Sequence, residues 1–271
     1  MSEHENVFTK ENLNTYLKEL AKEYRKLNGK SMPADIVLIG GAAILANYGF
    51  REMTTDIDAV IGSASSMKEA INRVGDKYNL PSGWLNSDFM RTDSYSPRLI
   101  EHSQYYKQFS NVLTIRTVTA EYLIAMKLRS GRKYKNDLSD IMGILAAHEE
   151  AGNPITWEQV DKAVCDLYGS WESIPEDSRT FIETAFRNGN YIQVYESVRA
   201  EEKRSKDILL QFDADYPGVA GEGNVNAILA NLKAKQAGKK SVLESLRAFQ
   251  EERLSQPEPT DKSQKNEPME R

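Results

Sequence analysis

Two aspartates stand one residue apart at the start of a short apolar segment, where Asp56 and Asp58 open the run DIDAVI at 56–61. Because alternate side chains of a strand share a face, both carboxylates would point the same way while Ile57 points into the core. Carboxylates held side by side repel each other unless a cation lies between them. Oxygen ligands of this kind suit Mg²⁺, with Mn²⁺ as an alternative. The pair therefore predicts a metal site, the alternative being two solvated acids at an exposed strand end.

A glycine pair precedes the aspartates and ends another apolar run, ADIVLI at 34–39. Gly40 and Gly41 would let the backbone approach a triphosphate closely, and the helix predicted after them would direct free N–H groups at its negative charge. The glycine turn and the acidic pair together predict metal-assisted nucleotidyl transfer. In that reaction the metal holds a nucleoside triphosphate, an acceptor hydroxyl attacks the α-phosphorus, and pyrophosphate leaves.

The elements that must position these residues follow from hydrophobic periodicity, since short β-branched runs predict strands and three-to-four spacing predicts helices. Predicted strands cover 34–39, 56–61 and 112–118, and predicted helices cover 9–28, 65–79, 120–128 and a segment that begins at Asn136 or Asp137. Thr119 is the predicted N-cap of the helix at 120–128.

Strand signals stop near Pro154, and the segments 156–169, 176–213 and 239–253 all show helical patterns. The predicted fold is α/β (α+β), a small mixed β-sheet core flanked by helices and followed by an all-helical C-terminal region. The predicted parts are an N-terminal helix packing on the core at 1–30, the catalytic domain at 31–152, a helical domain at 153–254 and a disordered tail at 255–271.

The order of strand, Gly40-Gly41, helix, and a second strand that begins with Asp56 and Asp58 resembles the nucleotidyltransferase superfamily, which extends from DNA polymerase β to aminoglycoside-modifying enzymes. The glycine pair matches the G-[GS] motif of that superfamily, and the acidic pair matches its D-x-[DE] motif.

A downstream stretch is similar to a narrower bacterial group, the abortive-infection nucleotidyltransferases of toxin–antitoxin systems and their relatives. It consists of YLIAMKL with Lys127, then Arg132, then DLSDI with Asp137 and Asp140. WLN at 84–86 also resembles these relatives. The two resemblances together cover about residues 30 to 150.

The resemblance implies a role for each matching residue. Arg51 and Thr55 would contact phosphate, as would Gly40, Gly41 and Lys127, and the metal would lie on Asp56 and Asp58. Lys127 lies on an otherwise apolar helix face, where a lone cation needs an anion, and a triphosphate would be that anion. The implied catalytic set is Asp56, Asp58, Lys127, Asp137 and Asp140.

Two members of this set have structural alternatives. Asp137 could simply be the N-cap of the following helix. Asp140, one turn later on the same face, could pair with Lys127 or Arg132.

One departure from the superfamily concerns a third carboxylate on the strand after the acidic pair. The strand at 112–118 instead carries Thr114, Arg116 and Thr117. Either Asp88, Asp137 or Asp140 takes that role, or the site binds nucleotide without efficient turnover.

Composition limits the other classes of function. The net charge is −5, and no apolar run approaches the length of about 20 residues that a membrane helix needs. The N-terminal segment MSEHENVFTK does not resemble a targeting signal, so we expect a cytoplasmic protein. RSGRKYK at 129–135 is the densest basic segment, and it is either a local contact for RNA or a solvated loop.

The remaining conspicuous side chains are predicted to be structural. A single cysteine and three histidines exclude a disulfide framework and disfavour a zinc site. Cys165 is predicted to be buried, as are Tyr105 and Tyr106. Trp84 and Tyr134 could stack on a base, with plain packing as the alternative for Trp84.

Two hypotheses follow. The first is a Mg²⁺-dependent enzyme of the EC 2.7.7 type that uses ATP or another nucleoside triphosphate. Its acceptor would be an RNA such as tRNA, a protein or a small molecule, and an antitoxin protein would be its partner if the chain is a toxin. The second is a non-catalytic nucleotide-binding module that acts through protein–protein contacts.

Overall fold

The computed structural model describes residues 7–62, 65–221 and 223–236. Five strands are β1 (Ala34–Leu38), β2 (Ile57–Gly62), β3 (Leu85–Asn86), β4 (Ser103–Phe109) and β5 (Leu113–Val118). The helices are α1 (Lys10–Asn28), α2 (Gly40–Asn47), α3 (Ser65–Tyr78), α4 (Ala120–Ser130), α5 (Asp137–Glu150), α6 (Trp157–Tyr168), α7 (Glu176–Asn188) and α8 (Tyr191–Asp215). The predicted segments 239–253 and 255–271 lie outside the described residues.

The five strands form one mixed sheet in the order β3-β2-β1-β5-β4. β1 is antiparallel to β2 and parallel to β5, and β2 is parallel to β3. The last pair, β4 with β5, is antiparallel. This sheet, with helices around it and further helices after it in the chain, confirms the predicted α/β (α+β) class.

Local sequence explains the elements that support the sheet. Thr9 and Asn12 form a capping box at the start of α1, and the helix buries Leu13, Leu17 and Leu20 completely. α1 packs against α3, and α4 packs against α5 and α6. None of the helices in the described ranges is long and apolar enough to cross a membrane.

Contacts divide the chain into two compact units, residues 1–206 and 207–271. The sheet and the helices from α1 to α7 lie in the first unit, and residues 225–236 in the second unit are helical. The domain boundary near residue 152 stays a prediction.

Several local predictions were wrong. β3 and β4 were missed because β3 is only two residues long and β4 carries mostly polar side chains on its exposed positions. Tyr105, predicted to be buried, is 63% exposed, and Cys165 is exposed as well. Thr119 occupies the N-cap position of α4 but makes no side-chain cap, since its hydroxyl donates to Glu121 Oε1 at 2.9 Å.

Candidate active site

The acidic pair lies at the start of β2, beside the glycine turn. Ile57 is fully buried, and the aspartates on either side of it are more open: Asp56 is exposed and Asp58 is half-buried. Gly40 has a left-handed φ of +55°, and a Cβ atom there would lie 3.8 Å from Asp58 Oδ2. The backbone N–H of Ile39 donates to the carbonyl of Asp58 at 3.0 Å. The structure therefore brings Asp58 and the glycine turn together.

Within the acidic pair, Asp58 is the carboxylate that is partly shielded from solvent. The pKa of Asp58 is raised to about 6, mainly by burial and in smaller part by the negative charge of Asp56. The positive charges of Lys135, Arg132 and Lys127 act in the opposite direction on this pKa. A half-buried carboxylate with a second carboxylate beside it forms a site that favours a cation.

Gly41 is a point of close approach between the start of α2 and the loop before β2. A Cβ atom at Gly41 would lie 2.7 Å from Thr54 Oγ1 and 2.8 Å from Arg51 Nη2, closer than side chains tolerate. Only a glycine lets the guanidinium and the hydroxyl reach this helix terminus. Arg51, predicted to contact phosphate, thus lies against the glycine turn.

Thr54, rather than its exposed neighbour Thr55, faces this turn. Thr54 is 4% exposed, and its hydroxyl donates to Asp56 Oδ1 at 3.4 Å. Its backbone pairs with Phe8 through two hydrogen bonds of 2.8 and 2.9 Å. The sequence did not single out Thr54, because the pairing with Phe8 decides which of the two adjacent threonines points inward. That pairing joins residues far apart in the chain and leaves no local pattern.

Three buried charged side chains and two half-buried arginines form a group that we call the ion cluster. Lys127 Nζ lies 2.7 Å from Asp137 Oδ1 and 2.9 Å from Asp140 Oδ2. Arg51 Nη1 lies 2.5 Å from Asp140 Oδ2, and Arg132 Nε lies 2.8 Å from Asp137 Oδ2. The cluster joins α4, α5 and the loops that carry the two arginines.

The ion cluster changes the expected role of Lys127. Its side chain is 7% exposed and is held by two carboxylates of the protein, so the anion predicted to be a triphosphate is supplied by Asp137 and Asp140. Burial alone would lower the pKa of Lys127, but Asp137 and Asp140 raise it above its ordinary value. The lysine therefore remains charged inside the protein.

Asp137 is not the N-cap that its position suggested. It is the first residue of α5, after Asn136, and Lys127 and Arg132 occupy its carboxylate. Burial would raise its pKa, but the two cations hold the pKa well below the ordinary range. Asp140 pairs with Lys127, as predicted, and with Arg51 in place of Arg132.

Glu202 on α8 supplies the cap that α5 lacks, and sequence reasoning missed it. One carboxylate oxygen accepts the N–H groups of Leu138 at 2.9 Å and Ser139 at 3.3 Å. The other oxygen is buried without a hydrogen-bond partner. The pKa of Glu202 is raised to about 7, mainly by burial, although its hydrogen bonds to Leu138 and Ser139 act in the opposite direction. Glu202 lies more than sixty residues after the helix start that it caps, so the contact leaves no local pattern in the sequence.

The strand β2, which carries Asp58, lies between β3 and β1. β5, where a third carboxylate was sought, is separated from β2 by β1, with Arg116 paired to Val37 and Thr117 to Leu38. Among the described residues, no group of three His, Cys, Asp or Glu side chains is arranged to hold a metal ion. Two carboxylates still fit Mg²⁺, which keeps several waters and takes ligands from substrate phosphates.

Of the proposed substitutes for the third carboxylate, Asp137 and Asp140 are held in the ion cluster. Asp88 is exposed at the start of a 3₁₀ turn. Trp84 is 2% exposed and donates its indole N–H to the carbonyl of Ile71 at 3.0 Å, so it packs in the core and does not stack on a base.

A sheet that carries an acidic pair beside a glycine turn is typical of the nucleotidyltransferase superfamily. A family model described as nucleotidyltransferase of unknown function (DUF6036) matches residues 15–193. The chain therefore belongs to this family, which supports membership of the superfamily. Searches of curated proteins and of solved structures gave no match. The narrower resemblance to the abortive-infection group stays a prediction.

Proposed function

We propose that this chain is a Mg²⁺-dependent nucleotidyltransferase that moves a nucleoside monophosphate from a nucleoside triphosphate to a hydroxyl acceptor. The observation that carries the proposal is the placement of Asp58, with the charge of Asp56 nearby, beside the left-handed Gly40. A divalent cation bound by Asp56 and Asp58 would neutralise triphosphate oxygens and polarise the α-phosphorus. Mn²⁺ has the same ligand preference.

The protein groups around the glycine turn bind and orient the phosphates. The first N–H groups of α2 point out of its N-terminus beside Gly40 and Gly41, and Arg51 Nη2 lies next to the same turn. The acceptor oxygen forms a new bond to the α-phosphorus while the bond to the bridging oxygen breaks. Pyrophosphate leaves with that electron pair, and a carboxylate of the acidic pair takes the proton of the acceptor.

The cations divide into a buried set and an exposed one. Lys127 is committed to Asp137 and Asp140, so we assign it a positioning role: it holds α4 and α5 so that Asp140 can hold Arg51. Lys135 is exposed, and its positive charge lowers the pKa of Asp58 more than the charges of Arg132 and Lys127 do. Lys135 is therefore the proposed lysine contact for the triphosphate.

A cleft next to Arg51 is the proposed place for the acceptor. It is lined by polar and aromatic side chains that include Asn136, Ser139, Tyr195 and Arg199. This mixture of polar groups and aromatic rings suits a small polar group of an acceptor better than an apolar one. RNA such as tRNA, protein side chains and small molecules are the acceptor classes to be compared.

The test is a transfer assay with labelled nucleoside triphosphates, Mg²⁺ and either tRNA or a cell lysate. We expect the wild-type chain to label an acceptor and the double variant Asp56→Asn/Asp58→Asn to lose the label. Asp76→Asn is the matched control, because it removes an exposed carboxylate of α3 that is not part of the proposed site. Equal labelling by the wild type and the double variant would show that the proposed active site is wrong.

A second candidate is a nucleotide-binding module without turnover. The observation that favours it is that the described residues provide no third carboxylate next to Asp56 and Asp58. Calorimetry separates the two functions. Metal-dependent binding of a triphosphate, abolished in the double variant and accompanied by no labelled product, would favour the module.

A further inference from the structure

Asn86 occupies the position next to Asp58 on the side of β2 opposite the glycine turn. In the parallel pairing of β2 with β3, Ile57 faces Leu85 and Asp58 faces Asn86. Ile57 and Leu85 are both buried, whereas Asp58 and Asn86 are both half-buried. Paired residues of neighbouring strands point to the same face, so Asp58 and Asn86 lie side by side on the face that carries the chemistry.

The neighbours of Asn86 hold β3 firmly in this register. The preceding Trp84 is anchored by its indole N–H on Ile71, and its carbonyl accepts the N–H of Ile57 at 3.2 Å. The following Ser87 donates its hydroxyl to the carbonyl of Ala59 at 2.8 Å. Contacts before and after Asn86 therefore both hold the two-residue strand β3 in place against β2.

The orientation of the Asn86 amide is also set by hydrogen bonds. Nδ2 donates to the carbonyl of Gly83 at 3.1 Å, and Oδ1 accepts the N–H of Asp88 at 2.8 Å. This places the amide nitrogen toward the β3 turn and leaves Oδ1 with a second lone pair. An amide oxygen is a ligand of the same hard type as a carboxylate, but it adds no negative charge to a pair that already repels itself.

We propose that Asn86 supplies the third protein oxygen of the metal site formed by Asp56 and Asp58. The assignment rests on the proposed function, since it requires that the acidic pair binds a divalent cation. It answers why the described residues show no third carboxylate: the strand adjacent to β2 offers an amide at that place. With two carboxylates and one neutral ligand, the site balances the charge of one divalent ion.

The experiment measures the affinity of the full-length chain for Mn²⁺ by calorimetry, without nucleotide, in the wild type and in four variants. Asn86→Ala should weaken Mn²⁺ binding about tenfold or more, the usual loss when a group that supports a metal site is removed. Asn86→Asp keeps an acceptor for the Asp88 N–H and adds a charge, so it should bind Mn²⁺ at least as tightly as the wild type. Asp88→Asn tests the competing candidate for the third ligand and, if Asn86 is that ligand, should leave the affinity unchanged.

The fourth variant, Asp58→Asn, separates failure of this assignment from failure of the proposed function. If Asp58→Asn abolishes Mn²⁺ binding and Asn86→Ala leaves it intact, Asn86 is only a turn residue and the assignment is overturned. A loss in Asp88→Asn but not in Asn86→Ala would likewise give the third ligand to Asp88. If the wild type and Asp58→Asn bind Mn²⁺ equally, the metal site itself is refuted. Circular dichroism of each variant checks that the fold is retained.

Discussion

The sharpest stability prediction concerns Glu202, the residue of α8 that caps α5. Its carboxylate is 3% exposed and has one oxygen without a partner, and its pKa rises from 4.5 to about 7 in the folded protein. The folded state therefore binds the proton of Glu202 more tightly than the unfolded chain does. The stability that this proton contributes is full below pH 4.5 and is lost as the pH rises through about 7.

The size of the effect follows from the shift. Between pH 5 and pH 8 the shift corresponds to about 2.5 kcal/mol in the free energy of unfolding. Glu202→Gln keeps an oxygen that can accept the N–H groups of Leu138 and Ser139 but cannot ionise. The variant should therefore gain about 2.5 kcal/mol relative to the wild type over this pH range.

The assay is urea denaturation followed by circular dichroism at several pH values, and the quantity compared is the difference between wild type and variant. Taking this difference cancels all other titrating groups. Glu201→Gln is the matched control, since Glu201 is the adjacent exposed residue, paired with Arg204 on the surface of α8. The reasoning is refuted if the difference in free energy of unfolding between the wild type and Glu202→Gln changes by less than about 0.5 kcal/mol from pH 5 to pH 8.

Three further predictions concern the site. Gly41→Ala should destabilise the fold by about 1–3 kcal/mol and weaken triphosphate binding in calorimetry, because the added Cβ would collide with Thr54 and Arg51. The control Gly49→Ala, which has open space around its Cβ position, should change neither quantity. Lys127→Met should lower the free energy of unfolding in urea by about 3–5 kcal/mol, because it leaves two buried carboxylates short of a cation. Adding Asp137→Asn should recover part of that loss, and additive losses would contradict a shared cluster. Lys135→Ala should raise KM for the triphosphate about tenfold. The control Lys133→Ala, which removes a lysine paired with Asp177, should leave KM unchanged. Equal effects of the two variants would show that Lys135 belongs to a solvated loop and does not contact the triphosphate.

The sequence was informative wherever function and local structure coincide. The run from Ala34 through the glycine turn to the acidic pair could be interpreted because strands, turn and side-chain alternation are all local properties. The strands β1, β2 and β5 and the helices from α4 to α7 were predicted for the same reason.

What could not be predicted depends on contacts between distant residues. The anion for Lys127 comes from the next helix, and both a carboxylate there and a bound phosphate would satisfy a lone lysine on an apolar face. The register of β3 against β2 is set by Trp84 and Ser87, so the position of Asn86 beside Asp58 was hidden. Glu202 could not be found because no pattern in α8 points to the start of α5.

The ion cluster is better explained by geometry than by stability. Removing charges from water costs several kcal/mol per ion, and a buried pair often does no more than recover that cost. What the cluster does provide is a fixed place for Arg51, whose Nη1 is bound by Asp140 while Nη2 lies at the glycine turn. Lys127 in turn holds Asp140 against α4.

This chain of contacts connects the sequence of α5 to the proposed phosphate site at α2. A guanidinium held in this way needs no rearrangement when an anion arrives, and preorganised charge is the form of electrostatics that contributes most to catalysis. It also explains why residue 41 is glycine, because any side chain there would displace the arginine that the buried ion cluster holds in place.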